Sequence, residues 1–194
     1  MFYLCSIGSN LDPNTHVSTV LGELLARFGP LQLSSVIRTE PVGMQSRNHF
    51  LNCLLIVESG LDPASLKQIF VALEIAHGRD RSDPLCKVHD RPLDIDIVAS
   101  SPEGDFASAR VDPYLTELLA ELYRHSEVHH PKVELLVQLP NEFSKRRAGK
   151  AVLTQPVGLR PLTLGPRAQQ SKGGQSTPAI HLDAGPRHIT VPHQ

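Results

Sequence analysis

Two aspartate–proline pairs do most to limit what this chain can fold into. Asp12-Pro13 and Asp62-Pro63 each open an amphipathic stretch. Asp offers an acceptor for a helix N-cap, and Pro suits the first helical turn. After the first pair, Val17, Val20, Leu21, Leu24, Leu25 and Phe28 recur at helical spacing until Gly29-Pro30. After the second, Leu66, Ile69, Phe70, Leu73 and Ala76 recur until Gly78. An apolar run precedes each pair: residues 2–7 before one, Phe50 to Glu58 before the other. Leu31 to about Arg38 alternates in a way that fits another strand. Leu93 to Val98 alternates with period two, and Tyr114 to Tyr123 carries a further helical pattern. The order β-α-β-β-α-β predicts an α+β, ferredoxin-like fold with an antiparallel sheet and additional C-terminal elements.

The pattern weakens beyond Pro140. Residues 140–194 hold eight Lys/Arg and two Asp/Glu, whereas residues 1–139 hold eleven and eighteen. Seven of the sixteen prolines and six of the thirteen glycines lie in those last 55 residues. Such a stretch buries too little apolar area to offset chain entropy. The expectation is a folded domain over 1–139 and a basic, Pro/Gly-rich tail over 140–194, largely disordered, with IHLDAG and HITV as short strands at most. No stretch is apolar enough for a membrane span. The opening MFYLCSIGSN reads as a first strand rather than a leader, which favours a cytoplasmic protein. Cys5, Cys53 and Cys86 lack metal-site spacing and read as idle thiols.

Chemistry concentrates in Arg91-Pro92-Leu93-Asp94-Ile95-Asp96-Ile97. On a strand, Asp94 and Asp96 share one face, about 7 Å apart at the backbone. They form either a carboxylate pair for a hard cation or an acidic strand edge. Arg79, Arg81, Lys87 and Arg91 lie in the preceding loop. They suit phosphoryl transfer, or they pair with Asp80, Asp83 and Asp90. Gly8-Ser9-Asn10 is a turn after a strand, at a place where anions can bind, but no Walker A loop occurs in the chain. Phe50 and Asn52 offer an aromatic face and an amide for a flat heterocycle, or a core ring and a strand residue.

Five segments in order carry a resemblance. They are Ile7-Gly8-Ser9-Asn10, Ile37-Arg38-Thr39-Glu40-Pro41-Val42-Gly43, Phe50-Leu51-Asn52, Leu73-Glu74-Ile75-Ala76-His77-Gly78-Arg79 and the Arg91–Ile97 segment. Together they resemble the 6-hydroxymethyl-7,8-dihydropterin pyrophosphokinase family. The resemblance implies transfer of pyrophosphate from ATP to 6-hydroxymethyl-7,8-dihydropterin, with AMP leaving, in folate biosynthesis. It implies two Mg2+ ions on Asp94 and Asp96, and Arg79 and Arg91 as catalytic cations at the triphosphate. It implies Glu74, Arg81, Ile97 and Tyr114 at the nucleotide, and Thr39, Pro41, Val42, Phe50 and Asn52 at the pterin. A monomer with no membrane or nucleic-acid partner is expected.

Two departures stand out. The chain has no Trp, which the family usually places before the signature, and Val111-Asp112-Pro113-Tyr114 stands where the family has P-H-x-R or P-H-Y. They motivate an alternative: a non-catalytic or altered-specificity relative that binds pterin or nucleotide. The basic tail motivates another, an interaction module that touches nucleic acid.

Overall fold

The computed structural model describes residues 1–44, 46–85, 88–123, 127–139 and 154–165. Cys86, Lys87, Pro140 and the IHLDAG and HITV segments lie outside them. The elements are β1 (Phe2–Ser9), α1 (Pro13–Phe28), β2 (Leu31–Leu33), β3 (Ile37–Thr39), β4 (Phe50–Glu58), α2 (Pro63–Ala76), β5 (Asp94–Ser101), α3 (Thr116–Leu122), β6 (Leu135–Gln138), β7 (Thr154–Val157) and β8 (Leu162–Leu164). A single 3-10 turn, Pro113–Leu115, leads into α3. The expected α+β, ferredoxin-like architecture is present. The main sheet runs β5-β1-β4-β2-β8, with β3 also on β4, and every described pairing is antiparallel.

Both faces of this sheet are covered, which explains the continuous apolar character of β4. Leu51, Cys53, Leu55 and Val57 join Tyr3, Cys5, Ile7 and Ile95 under α1 and α2. Leu54 and Ile56 join Leu4 and Ile37 on the other face, against Leu115, Leu118 and Leu122. Strand parity sends neighbouring residues to opposite layers. Burial pushes the thiols of Cys5 and Cys53 up to about 12, so both stay protonated.

The two Asp-Pro pairs behave differently. Asp62 caps α2 by accepting from Ala64 N–H at 2.9 Å and Ser65 N–H at 3.0 Å. Asp12 has a left-handed backbone, and its side chain makes no cap bond. Its carbonyl instead accepts from Thr15 N–H and His16 N–H. The helix therefore starts as the dipeptide predicts, but for a different reason.

The strand expected from Leu31 to Arg38 is broken. Ser34 supplies the break: its hydroxyl accepts from Leu54 N–H and donates to Ser35 O. Ser35 turns to Glu121, whose carboxylate accepts from its N–H and its hydroxyl. Val36 then pairs with later chain, donating to Gly158 O and accepting from Val133 N–H. Gly158 has φ 103°, and a Cβ there would lie 2.1 Å from Val133 O.

Residues 154–165 fall within the stretch expected as a tail, yet they belong to the fold. β8 extends the main sheet beyond β2, and β7 pairs with β6. Leu164 and Val157 are buried. Spacing alone conceals this, because these strands are short and become stable only against partners already in place.

Candidate functional site

Register assembles the site. Asn52 on β4 lies opposite Gly8 on β1, and Gly8 lies opposite Asp94 on β5. One step along, Ser6 lies opposite Asp96. These residues share the α3 face, where Leu4, Leu54 and Ile56 are apolar core. The same face thus changes from oily to polar along its length. A cleft of about 510 Å³ opens over the polar part.

Gly8 forms part of the floor because nothing larger fits. A Cβ there would meet Asn52 Oδ1 at 2.9 Å. Asn52 donates to Thr39 Oγ1 at 2.7 Å, which fixes its amide beside the Phe50 ring. Arg91 lies over that ring, its guanidinium carbon 5.8 Å from the centroid, within reach of a cation–π attraction.

Gly8 and Ser9, expected in a turn, lie within β1, and Arg91 is held by Asn10 just beyond it. Asn10 Oδ1 accepts from Arg91 N–H at 2.7 Å, and Asn10 N–H donates to Arg91 O at 3.1 Å. Asn10 also donates to Asp90 Oδ1 at 2.7 Å. Asn10 thereby clamps the loop before β5 to the end of β1. No anion is needed to explain it.

Asp94 sits between two guanidinium groups. Arg91 Nη1 donates to Asp94 Oδ2 at 2.5 Å, and Arg79 Nη1 donates to Asp94 Oδ1. Burial pushes the Asp94 carboxyl up, but the hydrogen bonds and charge of Arg79 and Arg91 outweigh it and hold the group below its ordinary value. Asp96 is more open, with 59% of its side chain exposed, and takes Lys67 Nζ at 2.7 Å.

Behind the strand, Glu74 is fully buried on α2. It accepts from Arg81 Nε at 2.7 Å and from Ile95 N–H at 2.9 Å, and Arg79 Nη1 stands 3.2 Å away. Arg79 therefore bridges two carboxylates, one on each side of β5.

Eight residues singled out from sequence line the cleft: Thr39, Val42, Phe50, Asn52, Arg91, Asp94, Asp96 and Tyr114. Five do not. Glu74 and Arg81 pair with each other on the α2 side. Arg79 reaches the site through Asp94. Ile97 packs against the α1/α2 core, as parity with Ile95 requires. Pro41 is half-buried in the loop beside Val42. The structure adds Ser6, Gly8, Glu40, Met44, Arg110 and Asp112 to the lining. Gly8 and Glu40 lay within recognised motifs. Asp112 lay in the Val111–Tyr114 segment already set against the family pattern, and Arg110 could have been suspected only from its closeness to that segment. The Tyr114 hydroxyl donates to Asp112 Oδ2 at 3.0 Å, and burial with this bond pushes the phenol up to about 12.

The donor set fits a magnesium ion. Asp94 and Asp96 present hard oxygens to one cleft, and magnesium takes one or two carboxylates with substrate phosphates rather than a protein cage. Among the described residues no group of three or more His, Cys, Asp or Glu is placed to hold a metal by itself. No described helix is long and apolar enough to cross a membrane.

Comparison with known proteins agrees with this chemistry. The family model for 7,8-dihydro-6-hydroxymethylpterin-pyrophosphokinase matches residues 4–148. Two proteins from strains of Porphyromonas gingivalis, both named 2-amino-4-hydroxy-6-hydroxymethyldihydropteridine pyrophosphokinase, are similar to this chain. Each is 40% identical over 98 residues, covering 50% of this chain and 67% of the relative.

Proposed function

This chain belongs to the 7,8-dihydro-6-hydroxymethylpterin-pyrophosphokinase family, and we propose that its cleft transfers pyrophosphate from ATP to 6-hydroxymethyl-7,8-dihydropterin. The family's activity serves folate biosynthesis. The observation that carries the reading is the row Asn52–Gly8–Asp94, which sets an amide beside an aromatic ring within one cleft that also holds a cation-flanked carboxylate.

In this reading the pterin occupies the side near Phe50, Asn52, Thr39 and Val42. Phe50 packs on the flat ring, and Asn52, with its amide fixed by Thr39, meets the polar edge. Glycine at position 8 lets the ring approach the sheet. The nucleotide occupies the side near Arg91, Arg110 and Tyr114. The pterin hydroxymethyl oxygen attacks the β-phosphorus of ATP, the bond to the α–β bridging oxygen breaks, and AMP leaves. Asp94 and Asp96 would hold two magnesium ions, which neutralise phosphate charge and orient its oxygens. Arg91 stabilises charge on the migrating group. Arg79 holds Asp94 in place, with Glu74 and Arg81 behind it. The protein acts as a monomer in the cytoplasm.

An assay of AMP released from ATP and the pterin alcohol tests this reading. Asp94→Asn and Asp96→Asn are each expected to lower the rate ~10²-fold or more. Wild-type protein that releases no magnesium-dependent AMP, or variants that match it, would sink the proposal. Pterin binding by calorimetry without AMP release would favour a non-catalytic relative, the reading prompted by the absence of Trp and of the His expected before Tyr114.

A further inference from the structure

Among the described residues, Lys67 is a cation bonded to the carboxylate pair that does not come from the arginine-bearing loop. It stands on α2, two helical turns before Glu74, on the face that meets β5. Its ammonium donates to Asp96 Oδ1 at 2.7 Å and to Ile95 O at 2.6 Å. Glu74 Oε1 lies 3.8 Å away. An ammonium has three donors, and three oxygens surround this one. Such anchoring differs from an ordinary surface pair, where a long side chain swings freely.

The geometry of approach matters. Asp96 lines the cleft, whereas Lys67 reaches it around the edge of β5 from the α2 side. Arg91 lines the cleft beside Asp94, where it can meet a phosphate. Lys67 is no part of the cleft lining. Its charge therefore acts on Asp96 and on whatever Asp96 holds. A fixed positive charge a few ångströms from a divalent cation repels it. It also occupies one of the two oxygens of Asp96.

We propose that Lys67 is a positioning residue that weakens divalent-cation binding at Asp96 until substrate phosphates supply the missing negative charge. The proposal rests on Asp94 and Asp96 being the metal-holding pair. It makes cation binding depend on the nucleotide: the carboxylates alone are partly neutralised, and the triphosphate completes the site. Lysine at this position thereby lowers the population of protein loaded with metal but no nucleotide.

Manganese(II) titration of the full chain without nucleotide, followed by the electron paramagnetic resonance signal of the free ion, tests this. Lys67→Met is expected to bind Mn2+ ~3- to ~10-fold more tightly than wild type. Lys67→Arg keeps the charge and is expected to stay within about twofold of wild type. Asp96→Asn is expected to bind more weakly. A lysine with only a structural role would leave affinity unchanged or reduced when lost. Circular dichroism and thermal melting identify folded variants, and Lys67→Gln, which keeps a donor for Ile95 O, stands in if Lys67→Met does not fold. Unchanged or weaker binding in Lys67→Met or Lys67→Gln, with weakened binding in Asp96→Asn, overturns the role of Lys67 alone. Wild-type affinity in Asp96→Asn overturns the metal reading of the pair, and this proposal with it.

Discussion

At the scale of single residues, Gly8 illustrates how an absent side chain makes a site. It was legible as a turn former after a strand, but its task is to leave room. Its neighbours across the sheet are Asn52 and Asp94, and a Cβ would press on Asn52 Oδ1. Gly8→Ala is expected to push Asn52 off Thr39 and raise KM for the pterin ~10-fold, the cost of about one hydrogen bond, with a smaller change in kcat. Steady-state kinetics with varied pterin checks this, and an unchanged KM would remove Asn52 from the pterin side. Asp94 was legible too, because alternation alone placed it with Asp96. That two arginines would take both its oxygens was not. The loop charges could equally have paired with Asp80, Asp83 and Asp90, and only the folded path of the chain chooses among them.

At the scale of elements, the joint between α2 and β5 does the positioning. Glu74 was expected at the nucleotide because it lies in a family motif. The structure buries it, where it ties Arg79, Arg81 and the Ile95 N–H together. A charge in that setting is stable only with its partners. Glu74→Gln is expected to destabilise the fold by about 3–5 kcal/mol, read from urea unfolding, because it removes the buried charge that Arg79 and Arg81 share. A loss of activity with no change in stability would instead restore Glu74 as a direct nucleotide contact. The paired Asp-Pro signals carry a similar lesson. Both helices were predicted from them, yet only Asp62 caps with its side chain. Composition identifies a helix start more readily than the bond that makes it, since that bond depends on the backbone angles of the preceding loop.

At the scale of the whole molecule, the sheet is closed by chain that composition had set aside. Leu162–Leu164 adds a strand beyond β2, and Val157 and Leu164 complete the core under α1. A chain ending at Leu139 lacks both β7 and β8, whereas one ending at Gly165 keeps them. The shorter chain is expected to lose ~3 kcal/mol or more from the burial of these two side chains alone. Urea midpoints of the two truncations compare them directly, and equal midpoints would show that the added strands are ornamental.

Hydrophobic periodicity by itself determined the order of the elements from β1 to β5, apart from the break between β2 and β3, and the common face of Asp94 and Asp96. These are local properties, set by a repeat of 2 or 3.6 residues within a single segment. Motif order identified the family, because each motif is a short local string. Tertiary structure decided which cation meets which carboxylate, why position 8 must be glycine, and that residues 154–165 belong to the sheet. Those outcomes depend on groups far apart in the chain, such as Asn10 with Arg91, Lys67 with Asp96, and Val36 with Gly158. Pairings at that separation are selected by packing and charge after the chain has collapsed, so no window of sequence contains them.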